Sequence, residues 1–347
     1  MGPQEAIQRV TAGGSLTREE AEQVASALMQ GQATPAQIGA LLVALRMKGE
    51  TVEEVAGFAA AMRQHVVPVR TLRQPLIDTC GTGGSTFRVF NVSTAAAFVT
   101  AAAGLAVAKH GNRRVTGICG SADVLEALGV TIDLDPPSCA ACIDAVGIGF
   151  LFAPNHHPAL KHVGGPRREI GVRSLFNLLG PLTNPAGASR QVMGVYEASA
   201  CRLACGALQR LGCERAIVVH AAIGLDEIAT IGETSVCELR GGEILEYTLT
   251  PERLGLQGAD PHPADLAPAD TPAGNAMLMR EVLSGKAETQ AQKARRDLVA
   301  VNAAAALRVG DLVEDWPEAV QRAQRILATG AARDVLEQLI AFQRASS

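Results

Sequence analysis

The sequence predicts an α/β protein in two parts: a small N-terminal helical domain and a larger α/β domain with a mostly parallel central sheet. Three observations carry this. Helix-capping patterns crowd the first 72 residues, short apolar runs alternate with helical segments from residue 75 onward, and a Gly-, Pro- and Arg-rich stretch interrupts that alternation at residues 161–185. The chain has 347 residues, and at ~100–200 residues per domain that length suits two domains.

In the first part, three helix starts carry capping boxes. Thr17 is followed three residues on by Glu20, Thr34 by Gln37, and Thr51 by Glu54. Each hydroxyl can accept from the amide three residues on, whose side chain reaches back to the cap amide. Pro35 falls at the first helical position, where its missing N–H costs nothing. Gly31 and Gly49 are placed to close the preceding helices. Ile38, Leu41, Leu42 and Leu45 repeat at the spacing of a single apolar stripe. The region holds no obvious chemistry and reads as a packing or dimerisation module.

In the second part, the candidate strands are residues 75–80, 105–109, 130–134, 150–153, 191–196 and 216–220. Candidate helices cover 94–103, 122–128, 137–146 and 200–211. Such alternation argues for a mostly parallel sheet flanked by helices. Residues 236–249 alternate around Gly241-Gly242 and read as a hairpin, and the chain is helical again from 273. Residues 161–185, KHVGGPRREIGVRSLFNLLGPLTNP, read as neither a plain helix nor a plain strand. A long connection of this kind inside a compact domain is often functional.

Composition narrows the function. Apolar residues make up 48% of the chain and aromatics only 3%, so the core must be mostly Ala, Leu, Val and Ile. The formal charge of −4 and the lack of a basic stripe argue against nucleic-acid binding. The N-terminus shows no secretory pattern. The most apolar stretch, 95–108, is too short to span a bilayer. Eight cysteines without an export signal point to reduced thiols in a cytoplasm. Cys139 and Cys142, like Cys201 and Cys205, read as small buried residues one helical turn apart. A zinc site needs about four ligands, and no second CxxC or HxxxH is present.

Five segments can carry chemistry. A strand runs into Gly81-Thr82-Gly83-Gly84-Ser85, which is either a tight turn or a loop presenting its amides to an anion. It has neither the Lys of a Walker loop nor the third glycine of a dinucleotide fingerprint. Asn91-Val92-Ser93-Thr94 precedes an Ala-rich helix. Ser93 and Thr94 can cap it, and the same helix start suits a phosphate. Lys109-His110-Gly111-Asn112-Arg113 follows a strand, where ligands bind in open α/β sheets. Ser121 opens the next helix as a cap or a phosphate contact. Arg167, Arg168 and Arg173 either offer guanidinium forks for a carboxylate or, for one or two of them, are simply solvated. Asp226-Glu227 is either a solvated carboxylate pair or a site for Mg²⁺, which takes oxygen ligands shared with phosphates.

Taken in order, GTGG, NVST, KHGNR, GSADVLEALG, FAPNHHPALKHV, GVRSLFNLLGPLTNP and GLDE form a series that resembles the anthranilate phosphoribosyltransferase family over nearly the whole chain, to the VNAAAAL segment near the end. The resemblance implies a helical domain of residues 1–72, with 163–187 returning to it, and a phosphoribosyl pyrophosphate (PRPP)-binding α/β domain of 73–162 and 188–347. It implies PRPP contacts from Gly81, Gly84, Ser85, Val89, Asn91, Ser93, Thr94, Lys109, Asn112 and Ser121. Anthranilate would meet Gly81, His110, Asn112, Arg167 and Pro181, and Mg²⁺ would be held by Ser93, Asp226 and Glu227. It further implies a cytoplasmic homodimer joined through the helical domain, with no nucleic-acid or membrane partner.

Two positions depart from that family's pattern: Ser85 stands where Asp is common, and Val89 where Thr is common. Losing a carboxylate beside the phosphates is expected to alter magnesium dependence, and Arg88 in the same loop is a further phosphate candidate. A pyrimidine nucleoside phosphorylase shares the two-part plan and is the nearest rival, to be separated by a phosphorolysis assay. A non-catalytic nucleic-acid-binding relative is disfavoured by the acidic charge and the Asp226-Glu227 pair.

Overall fold

Each of the three threonine caps closes its box in the computed structural model, which describes residues 1–114, 119–256 and 261–346. The Thr17, Thr34 and Thr51 hydroxyls each accept from the amide three residues on at 3.2 Å. The Glu20, Gln37 and Glu54 side chains accept in return from the cap amides at 2.8–3.0 Å. Each such cap contributes about 1 kcal/mol. With Pro3–Thr11 (α1), the capped helices Arg18–Met29 (α2), Pro35–Lys48 (α3) and Val52–Gln64 (α4) form a bundle in which α1 packs on α3 and α2 on α4. Ile38, Leu41, Leu42 and Leu45 are all buried in it.

The chain then enters a seven-stranded sheet. In chain order come Leu76–Gly81 (β1), Val92–Ala102 (α5), Ala106–Gly111 (β2), Ser121–Leu128 (α6), Pro136–Val146 (α7), Ile148–Phe152 (β3) and Ala153–His156 (α8). Lys161–Ile170 (α9) and Phe176–Leu182 (α10) follow. After them come Arg190–Gly194 (β4), Ser199–Arg210 (α11), Arg215–Ala221 (β5), Thr234–Arg240 (β6) and Glu243–Leu249 (β7). Pro272–Leu283 (α12), Gln290–Val309 (α13), Trp316–Ala328 (α14) and Ala331–Ser346 (α15) end the fold. Strand order is β3-β2-β1-β4-β5-β6-β7. The first five strands run parallel, while β6 and β7 are antiparallel additions. Gly241 and Gly242, both at positive φ (58° and 82°), make the two-residue hairpin turn, as the twist of an antiparallel pair favours.

Successive strand residues point to opposite faces, and two large cores result, with a smaller one around Leu76, Ala108 and Leu151. Val192, Ile217 and Val219 face α5, α6 and the C-terminal helices. Met193, Ala216 and Val218 face α11 and the N-terminal bundle. The run Ala303–Ala306 is wholly buried, and its small side chains let α13 lie close against α5.

Two expectations fail. Residues 130–134 form no strand, although Val130 and Ile132 are buried and their neighbours exposed. A side chain of α15 satisfies this backbone instead of a strand. Thr131 N–H donates to Gln343 Oε1 at 2.8 Å, and Gln343 Nε2 donates to the Thr131 carbonyl at 3.2 Å. Residues 161–185 are also more regular than expected, since α9 and α10 are helical despite Pro166 and Pro181 inside them. Burial outweighs the lost hydrogen bonds there. Val163, Phe176, Leu178, Leu179 and Leu182 pack into the bundle's core, with Phe176 edge-on to Phe58 at 6.2 Å.

Candidate active site

Strand order reverses between β1 and β4, and a crevice opens beyond the carboxyl ends of strands at such a point. Here the two ends are paired glycines, Gly81 and Gly194. A Cβ on Gly194 would overlap the Asp226 carbonyl, so glycine lets the acidic loop lie directly on the strand end. A cleft of about 490 Å³ occupies this place. It is lined by Gly81, Gly84, Ser85, Val89, Asn91, Ser93, Thr94, Lys109, His110, Asn112, Ser121, Asp226 and Glu227.

Hydrogen bonds knit these distant segments together. Gly83 N–H donates to Asp226 Oδ2 at 2.9 Å. The Ser85 hydroxyl donates to Asp226 Oδ1 and accepts from Asp226 N–H at 2.8 Å. The GTGG loop and Ser85 thus hold the first acidic residue. Ser93 N–H donates to Glu227 Oε1 at 3.1 Å, so the start of α5 holds the second. The Thr79 hydroxyl donates to the Ser93 carbonyl at 3.0 Å, and Asn91 Nδ2 donates to the Cys119 carbonyl at 3.1 Å. Ser93 and Thr94 are therefore not caps: Asn91 takes the cap position and α5 begins at Val92, without a side-chain cap bond. At this start Ser93 N–H goes to Glu227, Val92 N–H to the Phe90 carbonyl at 2.7 Å and Ala95 N–H to the Asn91 carbonyl at 3.1 Å. Ser121 likewise lies inside its helix. Gly120 is the cap residue, Asp123 accepts from its amide, and the Ser121 hydroxyl donates to the Asn112 carbonyl at 3.2 Å.

Beneath the cleft lies a buried polar floor. Asp78 accepts from His110 N–H at 3.1 Å and from Asn184 Nδ2 at 2.8 Å, and Asn184 Nδ2 also donates to the Ala108 carbonyl at 2.8 Å. Lys109 Nζ donates to the Thr79 carbonyl at 2.5 Å. Burial pushes Asp78 up to about 6, with Lys109 opposing. Burial pulls Lys109 below the usual lysine range, with Asp78, Cys80 and Glu227 opposing. Burial, then the charge of Asp226, raises Glu227. Two adjacent carboxylates, one of them costly to ionise alone, fit a divalent cation. Among the described residues, no group of three or more His, Cys, Asp or Glu is placed to hold a metal ion by itself. A cation here needs water or ligand oxygens to complete its shell, as Mg²⁺ usually does.

Arg167 and Pro181 do not line this cleft. The Arg167 guanidinium sits 5.1 Å from the centre of the Phe176 ring, and burial lowers its pKa. Pro181 is buried in α10, its carbonyl accepting from Gln191 Nε2 at 2.6 Å. Its neighbour Gly180 reaches the site through a carbonyl 3.2 Å from His110 Nδ1. Of the other arginines, Arg173 does line the cleft. It stacks 4.5 Å over Tyr196 and donates to the Gly84 carbonyl at 2.8 Å. Arg88 and Arg113 also line it, Arg113 being paired with Asp123 and Glu126. Sequence reasoning missed Asn184 and the wall residue Asn275, which looks like any asparagine near a helix start. The cysteines are free thiols, and Cys139 and Cys142 are buried.

Residues 4–66 match the glycosyl transferase family helical bundle domain, and residues 73–333 match the a/b domain of the same family. The chain is 53% identical over 338 residues to an anthranilate phosphoribosyltransferase of Anaeromyxobacter sp. (strain K), covering 97% of this chain and 98% of that one. It is 46% identical to that of Stutzerimonas stutzeri, over 99% and 97% of the two chains. Among solved structures, the anthranilate phosphoribosyltransferase of Thermus thermophilus superposes with a TM-score of 0.90 at 43% identity, covering 98% of this chain and 99% of that one. The Saccharomyces cerevisiae enzyme in complex with PRPP and Mg gives 0.88 at 25% identity, over 99% and 98%.

Proposed function

The chain belongs to the anthranilate phosphoribosyltransferase family, and on that footing we propose how its cleft serves the reaction. The enzyme transfers the phosphoribosyl group of PRPP to the amine of anthranilate, giving N-(5-phosphoribosyl)anthranilate and pyrophosphate in tryptophan biosynthesis, with Mg²⁺ as cofactor. One observation supports the residue roles above all others: the GTGG loop, the α5 start, Lys109 and Asp226-Glu227 meet in one cleft at the strand-order reversal.

PRPP lies over Gly81, Gly84, Ser85 and Val89, with Asn91, Ser93 and Thr94 at the helix start and Lys109, Asn112 and Ser121 opposite. Backbone amides and the α5 dipole favour its phosphates. Ser93, Asp226 and Glu227 would hold Mg²⁺, which would supply positive charge beside the departing pyrophosphate. Lys109 adds fixed positive charge from a buried, preorganised position. The anthranilate amine displaces pyrophosphate at ribose C1 with inversion, through an oxocarbenium-like transition state. An aromatic amine is neutral at pH 7, so no strong general base is required. Holding the two substrates in line lowers much of the remaining barrier.

Anthranilate lies between the cleft and the return segment, near Gly81, His110, Asn112, Arg167 and Pro181. Arg167 and Pro181 stand outside the cleft lining, so this assignment places the aromatic ring on the side of the cleft toward α9 and α10. Residues 1–72 and 163–187 form one domain, and 73–162 with 188–347 form the other. The packing of α9 and α10 residues into the bundle's core supports that division. The enzyme is a cytoplasmic homodimer through its helical domain. Exposed Met47 on α3 is the kind of surface such contact covers, and sedimentation equilibrium tests it.

The deciding assay follows anthranilate fluorescence. Loss of the signal on adding PRPP and Mg²⁺, but not with either alone, is the expected outcome, and Arg167→Ala raises the KM for anthranilate. Fluorescence that stays constant with both present would overturn the assignment.

A further inference from the structure

His110 lines the cleft, and behind it lies a second histidine that does not. His157 Nε2 is 3.2 Å from His110 Nε2, with the rings tilted at 46° and their centres 5.0 Å apart. Both side chains are buried. The other nitrogen of His110, Nδ1, is 3.2 Å from the Gly180 carbonyl. A carbonyl only accepts, so His110 Nδ1 must carry a proton. Two facing ring nitrogens can bond only if one donates and the other accepts. In a neutral His110 the accepting nitrogen is then Nε2, and the donor is His157 Nε2–H.

From this geometry we infer that His157 is a positioning residue that fixes His110 as a neutral ring with its proton on Nδ1 and no nitrogen free for the acceptor substrate. The inference rests on the anthranilate reading of the cleft. On that reading His110 is a fixed wall, neither base nor cation, and it ties the KHGN segment to α10 through Gly180.

The surroundings agree. Burial, then the neighbouring His157 and His156, pushes His110 down to about 3, the Gly180 bond opposing and Lys109 adding to the fall. Burial pushes His157 down to about 4, with His156 contributing. His156 Nδ1 lies 3.1 Å from the Val67 carbonyl, and its Nε2 is buried without a partner. Asp78 accepts from the His110 backbone amide and not from the ring.

The test compares the full-length enzyme with His157→Phe, which keeps a ring but removes the donor, and His157→Gln, which keeps a donor. In the phenylalanine variant a buried acceptor is stranded, which lowers kcat/KM for anthranilate roughly tenfold or more, while KM for PRPP stays within about twofold. Its pH profile gains an acid limb nearer the ordinary histidine range as His110 becomes protonatable. The glutamine variant restores both the efficiency and the pH profile of the unmodified enzyme. Histidine ¹⁵N spectra of the unmodified protein show His110 protonated at Nδ1 and bare at Nε2. An unchanged His157→Phe profile, equal damage in both variants, or a proton on His110 Nε2 would overturn the inference. An unmodified enzyme without turnover would instead sink the functional reading, and the ¹⁵N spectrum would still judge the histidine pair.

Discussion

Two residues at the cleft show how small changes set its electrostatics. Ser85 holds the Asp226 carboxylate from one side while Gly83 N–H holds it from the other. An aspartate at position 85 would set a second negative charge against the first, which is the physical sense in which this departure bears on magnesium dependence. Asp78 beneath them gives a cleaner measurement. Its carboxyl titrates at about 6 instead of 3.8 because burial outweighs the attraction of Lys109. The folded state therefore binds this proton more tightly than the unfolded chain does. The stability from that protonation is complete below about pH 4 and is lost as pH rises through about 6. Replacing the carboxyl by a group that never ionises removes this loss. Between about pH 4 and 7, Asp78→Asn should gain on the unmodified protein by about 3 kcal/mol. Urea midpoints across that range measure it, and parallel curves for the two proteins would refute it.

At the scale of elements, the acidic loop depends on a helix far along the chain. Asn302 in α13 accepts from Ile228 N–H at 2.9 Å and donates to the Ile228 and Leu298 carbonyls at 2.9 Å each. This clamp sits one residue beyond Glu227. Asn302→Leu strands the Ile228 backbone groups, so it should destabilise the protein by about 2 kcal/mol. It should also raise the Mg²⁺ concentration needed for half-maximal rate, while KM for anthranilate stays unchanged. A magnesium titration at saturating PRPP reads the difference, and a shift in anthranilate KM alone would contradict the clamp. The sequence contained the VNAAAAL segment but not this role, because a buried asparagine bridging two backbone groups leaves no periodic trace. What was legible followed local rules. Thr17, Thr34 and Thr51 announce caps within four residues, and five of the six mid-chain strands follow their apolar runs. The failures were non-local. Alternation at Val130 and Ile132 is real, but Gln343, over 200 residues away, takes the place of a partner strand. Ser93 and Thr94 have the chemistry of caps, yet the turn at Asn91 starts α5 earlier, at Val92. The motifs named most of the cleft lining. They could not show that Arg173 faces the GTGG loop while Arg167 turns toward Phe176.

Across the whole molecule, the two matched family domains are not separate in their packing. One apolar cluster runs from the N-terminal bundle through α9, α10 and α11 to the strand residues Met193, Val218 and Cys237. The chain crosses between the parts more than once. Arg63 of α4 donates to the carbonyls of Leu182 and Leu211 at 2.8 and 3.1 Å, and Arg18 of α2 donates to the Arg210 carbonyl at 2.9 Å. Removing the bundle would expose α11 and one sheet face to water, a penalty that scales with the apolar area uncovered. The bundle without α10 and α11 would lose Leu178, Leu179, Ala204 and Leu208 from its own core. Neither part can then keep its packing once the other melts, so both should unfold in one cooperative transition. Calorimetry of the full chain is expected to give a single peak whose calorimetric and van't Hoff enthalpies agree. PRPP with Mg²⁺ should move that whole peak upward, since a ligand that binds only the folded form stabilises everything coupled to its site. Two resolved peaks, with only the later one shifted by ligand, would mean that the shared cluster does not couple the bundle to the sheet.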